Sequence, residues 1–241
     1  MRVNVGRQGS VGLGLGLMCM LCWLQLAGGG AAGRSGGQAI AHDELLARVQ
    51  PRYDRTTHLR ARFQQETRLP GFEQVQTGEG EVYILKPGMM RWQYAKPERQ
   101  VIIANGETLW IYLPQDRQVI RDRVNQSLGT RTPALFLAGQ ARLADVFSVL
   151  KTSTQVPSEG DVLRLELLPK AGAIPHGQVE LGIDPSSYLV KRVRLVDLQG
   201  NTTTMWFTDI DTEAAVDASL FQFQVPPGVE VIAPPVFPGP R

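Results

Sequence analysis

Cysteine is nearly missing from this chain. The two that occur, Cys19 and Cys22, sit within the first 41 residues, which read as an export signal. Arg2 and Arg7 supply a positive start, Val11 to Leu26 an apolar stretch diluted by glycine, and Ala39-Ile40-Ala41 a small-residue cleavage site, with an earlier cut after Ala32 as the alternative. As an uncleaved anchor the apolar stretch is short, roughly 16 residues against the ~20 needed to span a bilayer. A lipidated Cys22 is the other reading, but Cys19-Met20-Leu21 does not resemble a lipobox. Cleavage would leave a chain with no disulfide, no thiol nucleophile and no cysteine-based zinc site.

Basic excess is lacking too. Loss of Arg2, Arg7 and Arg34 leaves 22 basic against 23 acidic residues, and no basic run with interleaved aromatics remains, so nucleic acid is not an expected partner. Catalytic signatures are equally scarce: the chain has no G-x-S-x-G elbow, no H-E-x-x-H and no phosphate loop. The three histidines, His42, His58 and His176, lack ligand spacing, and the last two fall in turn-like sequence. Asp209 and Asp211 could pair on one strand, but a solvated face or strand end explains them as well. The expectation is no catalytic residue, no metal and no cofactor.

What the chain does have is apolar strand. From Gly78 to Tyr112, Val82 and Ile84, then Met90, Trp92 and Tyr94, recur at every second residue, as do Val101 and Ile103 with Leu109 and Ile111 around Asn105-Gly106. Asn-Gly predicts a two-residue type I′ turn, making Arg99 to Tyr112 a hairpin. Lys86-Pro87-Gly88 predicts a reversal before it. Tyr83, Leu85, Met89, Ile102, Trp110 and Tyr112 occupy the alternate positions, so both faces are apolar. Such a sheet needs two covers, or one cover and a ligand.

Around this centre, Asp43 to Thr56 predicts a helix with Leu45, Leu46, Val49 and Tyr53 on one face, bent or split at Pro51. Leu59, Ala61 and Phe63 alternate in a first strand, Phe72 to Gln76 leads into the second, and Arg117 to Val124 reads as a polar edge strand. Thr132 and Pro133 can start a second helical region, running to Leu150, with Leu143, Val146, Phe147 and Leu150 on one face. Strands at 162–168, 178–183, 189–198 and 202–210 then form an antiparallel meander. Four prolines between Pro234 and Pro240 predict an extended mobile tail.

Several spaced positions carry a family resemblance. Gly78, Gly80, Val82, Tyr83, Ile84, Lys86, Pro87 and Trp92, then Asn105, Gly106, Thr108, Leu109, Trp110, Tyr112 and Pro114, follow the pattern of the outer-membrane lipoprotein carrier family, LolA. Phe221-Gln222-Phe223 before Pro227-Gly228-Val229 resembles how that family closes. The resemblance implies an α+β fold: a curved antiparallel sheet, an incomplete β-barrel, whose concave face is covered by short helices at Asp43–Thr56 and Pro133–Leu150. It implies a signal peptide at 1–41, a lipoprotein-carrier domain at 42–230 and a Pro-rich tail at 231–241.

It further implies a periplasmic, monomeric, non-enzymatic chaperone. Its partners would be acylated lipoproteins, an inner-membrane lipoprotein-releasing ABC transporter and an outer-membrane lipoprotein receptor. Met89, Met90, Trp92, Trp110, Leu135, Phe136 and Leu137 are the expected lining of the cavity and lid, although ordinary core is an equally open reading of each one alone. Lys86 stands where the family places a basic latch that hydrogen-bonds the lid; as lysine it offers three mobile donors instead of an arginine fork. A carrier of another amphiphile, such as a glycolipid or lipid intermediate, or a non-catalytic envelope protein-binding module, would fit the same pattern.

Overall fold

The computed structural model describes residues 42–124, 136–139, 142–153, 163–170 and 176–234. The expected signal segment, Leu135 and the end of the tail lie outside these residues.

Twelve strands form one open, curved sheet. Helix α1 is His42–Arg55. Strands β1 to β6 are His58–Arg68, Gln76–Leu85, Met89–Lys96, Gln100–Asn105, Thr108–Leu113 and Gln118–Arg123. After a four-residue helix α2 (Leu143–Val146) come β7 to β11 at Phe147–Ser153, Leu163–Pro169, His176–Ile183, Val190–Asp197 and Thr202–Asp211. A 3-10 turn at Ala218–Phe221 and the short strand β12, Glu230–Ile232, close the described chain. The spatial order is β12-β6-β5-β4-β3-β2-β1-β11-β10-β9-β8-β7. The first meander runs outward from one edge of β1, and the second returns to its other edge through β11. All neighbours are antiparallel apart from β12, which lies parallel to β6.

The register sets which side chains share a face, because directly paired residues point the same way. Ala61, Val82, Trp92, Ile102, Ile111 and Ile120 form one unbroken row across six strands. On the other side of β1, Phe207 continues from Phe63, and Val193, Leu181 and Leu165 extend the row from Met205. This inner face packs against Leu45, Val49 and Tyr53 of α1, all buried. Burial of so many large aliphatic and aromatic groups, at about 1.5–3 kcal/mol each, is what closes the helix onto the sheet.

The opposite face of β1 to β6 carries Arg60, Tyr83, Arg91, Ile103, Trp110 and Arg121. Its apolar part has a second cover made by the chain itself. Phe223 lies 6.2 Å from the Trp110 ring and 5.6 Å from that of Tyr112, and Arg91 Nη1 donates to the Leu220 carbonyl at 3.1 Å. Of the two solutions open to a sheet apolar on both faces, this outer side takes the first.

Several local expectations change. Ile102, and not Ile103, belongs with Trp92 and Ile111. Both are buried, at 3% and 0% exposure, so alternation along β4 carries no phase and cross-strand pairing decides it. Asn105-Gly106 does not form a two-residue type I′ turn. The two linking residues are Gly106-Glu107, of which only Gly106 has a positive φ (+101°), while Asn105 ends β4 and its carboxamide accepts from the Glu107 and Thr108 amides, an Asx turn. Pro51 neither splits nor ends α1. The carbonyl it leaves without a donor belongs to Ala47, an exposed residue where water can serve.

Phe72 stands 70% exposed in the loop before β2, which starts only at Gln76. The second helical region ends at Val146: from Phe147 the chain is strand, pairing with β8 through a bulge, and Leu150 is exposed. His58 and His176 open β1 and β9 instead of lying in turns. Asp209 makes an exposed ion pair with Arg62 at 3.5 Å, and the Asp211 carboxylate accepts the Glu213 and Ala214 amides, a strand-end turn. Glu230, Val231 and Ile232 pair with Gln118, Val119 and Ile120, so the sheet continues past residue 230 into what was expected to be tail. A polar edge strand β6 is thereby shielded.

The β9–β10 turn steadies one side of α1. Asp184 accepts from the amides and hydroxyls of both Ser186 and Ser187, and the Ser186 hydroxyl bond leads in holding its carboxyl down at about 2. The same turn presents Tyr188, whose hydroxyl accepts from Arg48 at 2.6 Å. A carboxyl lowered from 3.8 in the unfolded chain adds stability that is complete above pH 4–5 and is lost as pH falls from 3.8 towards 2. Because the group touches solvent, the contribution is about 1 kcal/mol. Asp184→Asn should lower the melting temperature at pH 7 and flatten the acid limb of the stability curve, and an unchanged limb would show that other carboxyls control it.

Candidate functional site

The site lies where the end of α1, the β2–β3 turn and the lid segment 136–139 meet. One turn of helix brings Gln50, Tyr53 and Asp54 onto one side of α1. Gln50 donates to Asp54 at 2.7 Å and its amide oxygen accepts the Leu143 N–H at 3.1 Å, tying α1 to the start of α2.

Tyr53 is the hub. Only 2% exposed, it accepts the Val190 N–H at its hydroxyl (3.0 Å), so α1 is fixed to β10, and burial pushes the phenol up to about 12. Its ring lies 4.7 Å from that of Phe136 in the lid. Its carbonyl accepts from Lys86 Nζ, which also stands 5.7 Å over the same ring. Burial lowers the Lys86 pKa, and the negative charge of Asp54 partly opposes this.

The lid is held by backbone. Gly88 N–H donates to the Ala138 carbonyl at 3.0 Å, and Gly139 N–H turns back to Phe136 at 2.9 Å. Gly139 has φ +72°, and a Cβ there would fall 2.6 Å from Lys86 Cδ, so the lysine stem occupies the space that a side chain would need. Lys86 therefore differs from the expected latch. Its ammonium serves α1, while the lid carbonyl is taken by the neighbouring Gly88.

Lid residues Phe136, Leu137 and Ala138 are 3%, 7% and 0% exposed. Leu137 points onto the inner face among Leu59, Ala61, Val82, Ile84, Val190, Phe207 and Ile210, and the space left there is about 10 Å³. That barely reaches what one water requires. Leu137 thus fills most of the space on this part of the apolar face. On the other side of Phe136 a larger polar space of about 190 Å³ is lined by Gln50, Tyr53, Asp54, Lys86, Phe136, Gly139, Arg142 and Asp145.

Of the expected lining, Met90 and Trp92 lie on the inner face, 2% and 4% exposed, with Trp92 packed against Phe63 at 5.2 Å and Phe207 at 6.1 Å. Phe136 and Leu137 lie in the segment 136–139 over the inner face, both buried, and Leu135 lies outside the described residues. Met89 and Trp110 are not part of this lining. Met89 alternates with Met90, and Trp110 pairs with Ile103 and Arg121 on the outer face beneath Phe223. The reading of the sequence missed Tyr53, Gly139, Val190 and Phe207. Tyr53 was visible only as one of four apolar positions on a helix face, and nothing in the sequence marks which of those reaches the lid.

Lys86→Met keeps the stem against Gly139 and removes the donor and charge. The loss should loosen the junction by about 1 kcal/mol. The measurement is hydrogen exchange of the Gly88 amide, which donates to the Ala138 carbonyl and should exchange about fivefold faster as the junction opens more often; unchanged exchange would show that the Lys86 bond to α1 does not steady the junction.

The site is thus an open sheet whose apolar concave face is covered by helix α1 and the short segment 136–139. The chain belongs to the outer membrane lipoprotein carrier protein LolA family, whose family model matches residues 54–224. An outer-membrane lipoprotein carrier protein of Pseudomonas paraeruginosa is 32% identical over 200 residues, covering 81% of this chain and 92% of that protein. One from Methylococcus capsulatus is 34% identical over 156 residues, covering 65% of this chain and 72% of that one. In fold, the crystal structure of an uncharacterized conserved protein from Thermus thermophilus is similar with a TM-score of 0.51 at 16% identity, covering 80% of this chain and 99% of the other. Among the described residues no cluster of three or more His, Asp or Glu side chains could hold a metal ion.

Proposed function

We propose that this protein is a periplasmic lipoprotein carrier that takes the acyl chains of its cargo onto the inner face of the sheet when the lid swings away. Its cargo would come from an inner-membrane lipoprotein-releasing ABC transporter and go to an outer-membrane lipoprotein receptor, with the carrier acting as a monomer. The observation that carries this reading is Leu137 seated on the apolar face with only about 10 Å³ left. A plug of that kind is a reversible occupant: it contributes burial when no ligand is present and can be displaced by a longer chain. Met90 and Trp92, already facing inward, would line the opened space beside Phe136 and Leu137.

The test is native mass spectrometry of residues 42–241 mixed with a triacylated lipoprotein and its unacylated form, both presented in exchangeable detergent. A one-to-one complex with the acylated form alone is the expected result. No complex with either form, from folded protein, would remove the carrier reading.

A further inference from the structure

The polar space beside the lid is the feature that lid closure alone leaves unused. Its charged lining is balanced, Lys86 and Arg142 against Asp54 and Asp145, with the Gln50 amide between them. Lys86 gives one N–H to the Tyr53 carbonyl, and an ammonium has three. Partial burial of that ammonium strengthens any further hydrogen bond it donates.

The two spaces are also contiguous in a particular sense. Tyr53 lines both, while the successive lid residues Phe136 and Leu137 line one each. A ligand whose fatty part displaced Leu137 would bring its next atoms to the polar side.

We propose that this pocket seats the uncharged, carbonyl-rich linker, ester and amide groups together, that joins fatty chains to the body of an amphiphile. The proposal rests on the carrier reading and adds a chemical selection to it. Ester and amide oxygens are acceptors that Lys86, Arg142 and Gln50 can serve. A phosphate at the same place would bring one to two negative charges against Asp54 and Asp145, and a pocket with no net charge does not compensate them. The site thus discriminates by charge next to the chains, which an apolar cavity cannot do.

Three probes, each with two palmitoyl chains, separate the possibilities: an N-acetyl, S-dipalmitoylglyceryl cysteinyl peptide amide with neutral residues, dipalmitoylglycerol, and dipalmitoyl phosphatidic acid, each offered from the same neutral detergent. Wild type is expected to bind the peptide at least tenfold more tightly than the phosphatidate. The isosteric pair Asp54→Asn and Asp145→Asn, which leaves the pocket net positive without altering its shape, should reduce that preference tenfold by raising phosphatidate affinity. Diacylglycerol binding as tightly as the peptide supports the linker site and makes a glyceride the source of its esters; weaker diacylglycerol binding supports it with the acylated cysteine as source. Equal binding of peptide and phosphatidate by wild type, or an unchanged ratio in the double variant, overturns the proposal while the carrier reading stands. Binding of none of the three removes the carrier reading itself.

Discussion

Leu137→Ala should tighten the hold on acylated cargo, by tenfold or more, even though it removes apolar surface from the site. Leu137 is 7% exposed and fills the inner face in the empty state. Truncating a buried leucine costs about 2–5 kcal/mol, part transfer and part cavity. That cost falls on the closed, empty form; under the proposed carrier function, the plug would be displaced in the loaded form and its contacts replaced by ligand. A shift of only 1.4 kcal/mol in the balance between the two is tenfold in affinity, so even a fraction of the truncation cost is enough. The variant should therefore melt earlier when empty and release a tripalmitoylated peptide more slowly. Earlier melting with weaker binding would mean that Leu137 touches the cargo instead of competing with it.

The magnitude of that competition bears on how the carrier would load. One ~16-carbon chain fully buried is worth on the order of 12 kcal/mol, and three would exceed any known non-covalent affinity. Self-burial of Phe136 and Leu137 offsets roughly 3–6 kcal/mol at 1.5–3 each. The lid thus balances part of one chain, and further offset would have to come from α1, with Tyr53 and Val49, moving off the sheet. Tyr53 is where such a movement would be felt, since its ring, hydroxyl and carbonyl hold the lid, β10 and Lys86 at once.

Most of the sheet was legible because half-buried strands write a period of two. The row through Val82, Trp92 and Ile111 is visible in the sequence, and so are the four strands after residue 162. Legibility failed where a strand is buried on both sides, as at Ile102 and Ile103, since every residue is then apolar and the phase is set by partners far along the chain. It failed again at Phe147, where Leu143, Val146, Phe147 and Leu150 also satisfy a helical spacing and pairing with β8 decides the outcome. Trp110 was misplaced for a related reason: large apolar side chains suggest a cavity, but Phe223 supplies an ordinary cover on the other face, and Met89 alternates with Met90 and so falls on the face opposite it. The hub itself was illegible because its contacts join residues 53, 86, 136 and 190, which nothing local relates.

Gly139→Val should leave the lid unable to close. The position has φ +72°, which a β-branched residue adopts only under strain of about 1–2 kcal/mol, and the new Cβ would sit 2.6 Å from Lys86 Cδ. Lys86 can move, but moving it breaks the bond to the Tyr53 carbonyl and leaves a half-buried ammonium without that acceptor, at about 1 kcal/mol more. Together the two effects amount to about 2–3 kcal/mol against closure, which reaches the lower end of what Phe136 and Leu137 gain by closing. The sheet should stay folded, since Gly139 pairs with no strand, while the apolar row of Leu59, Val82, Ile84 and Phe207 becomes open to solvent. The expected result is unchanged far-ultraviolet circular dichroism with a strong rise in binding of a hydrophobic dye such as ANS, reversed by a tripalmitoylated peptide. Gly139→Val with Lys86→Ala separates the two causes: if the shortened side chain restores low dye binding, the clash dominates, and if dye binding stays high, backbone strain does. A single variant that binds no more dye than wild type would show that the lid is not what closes the inner face.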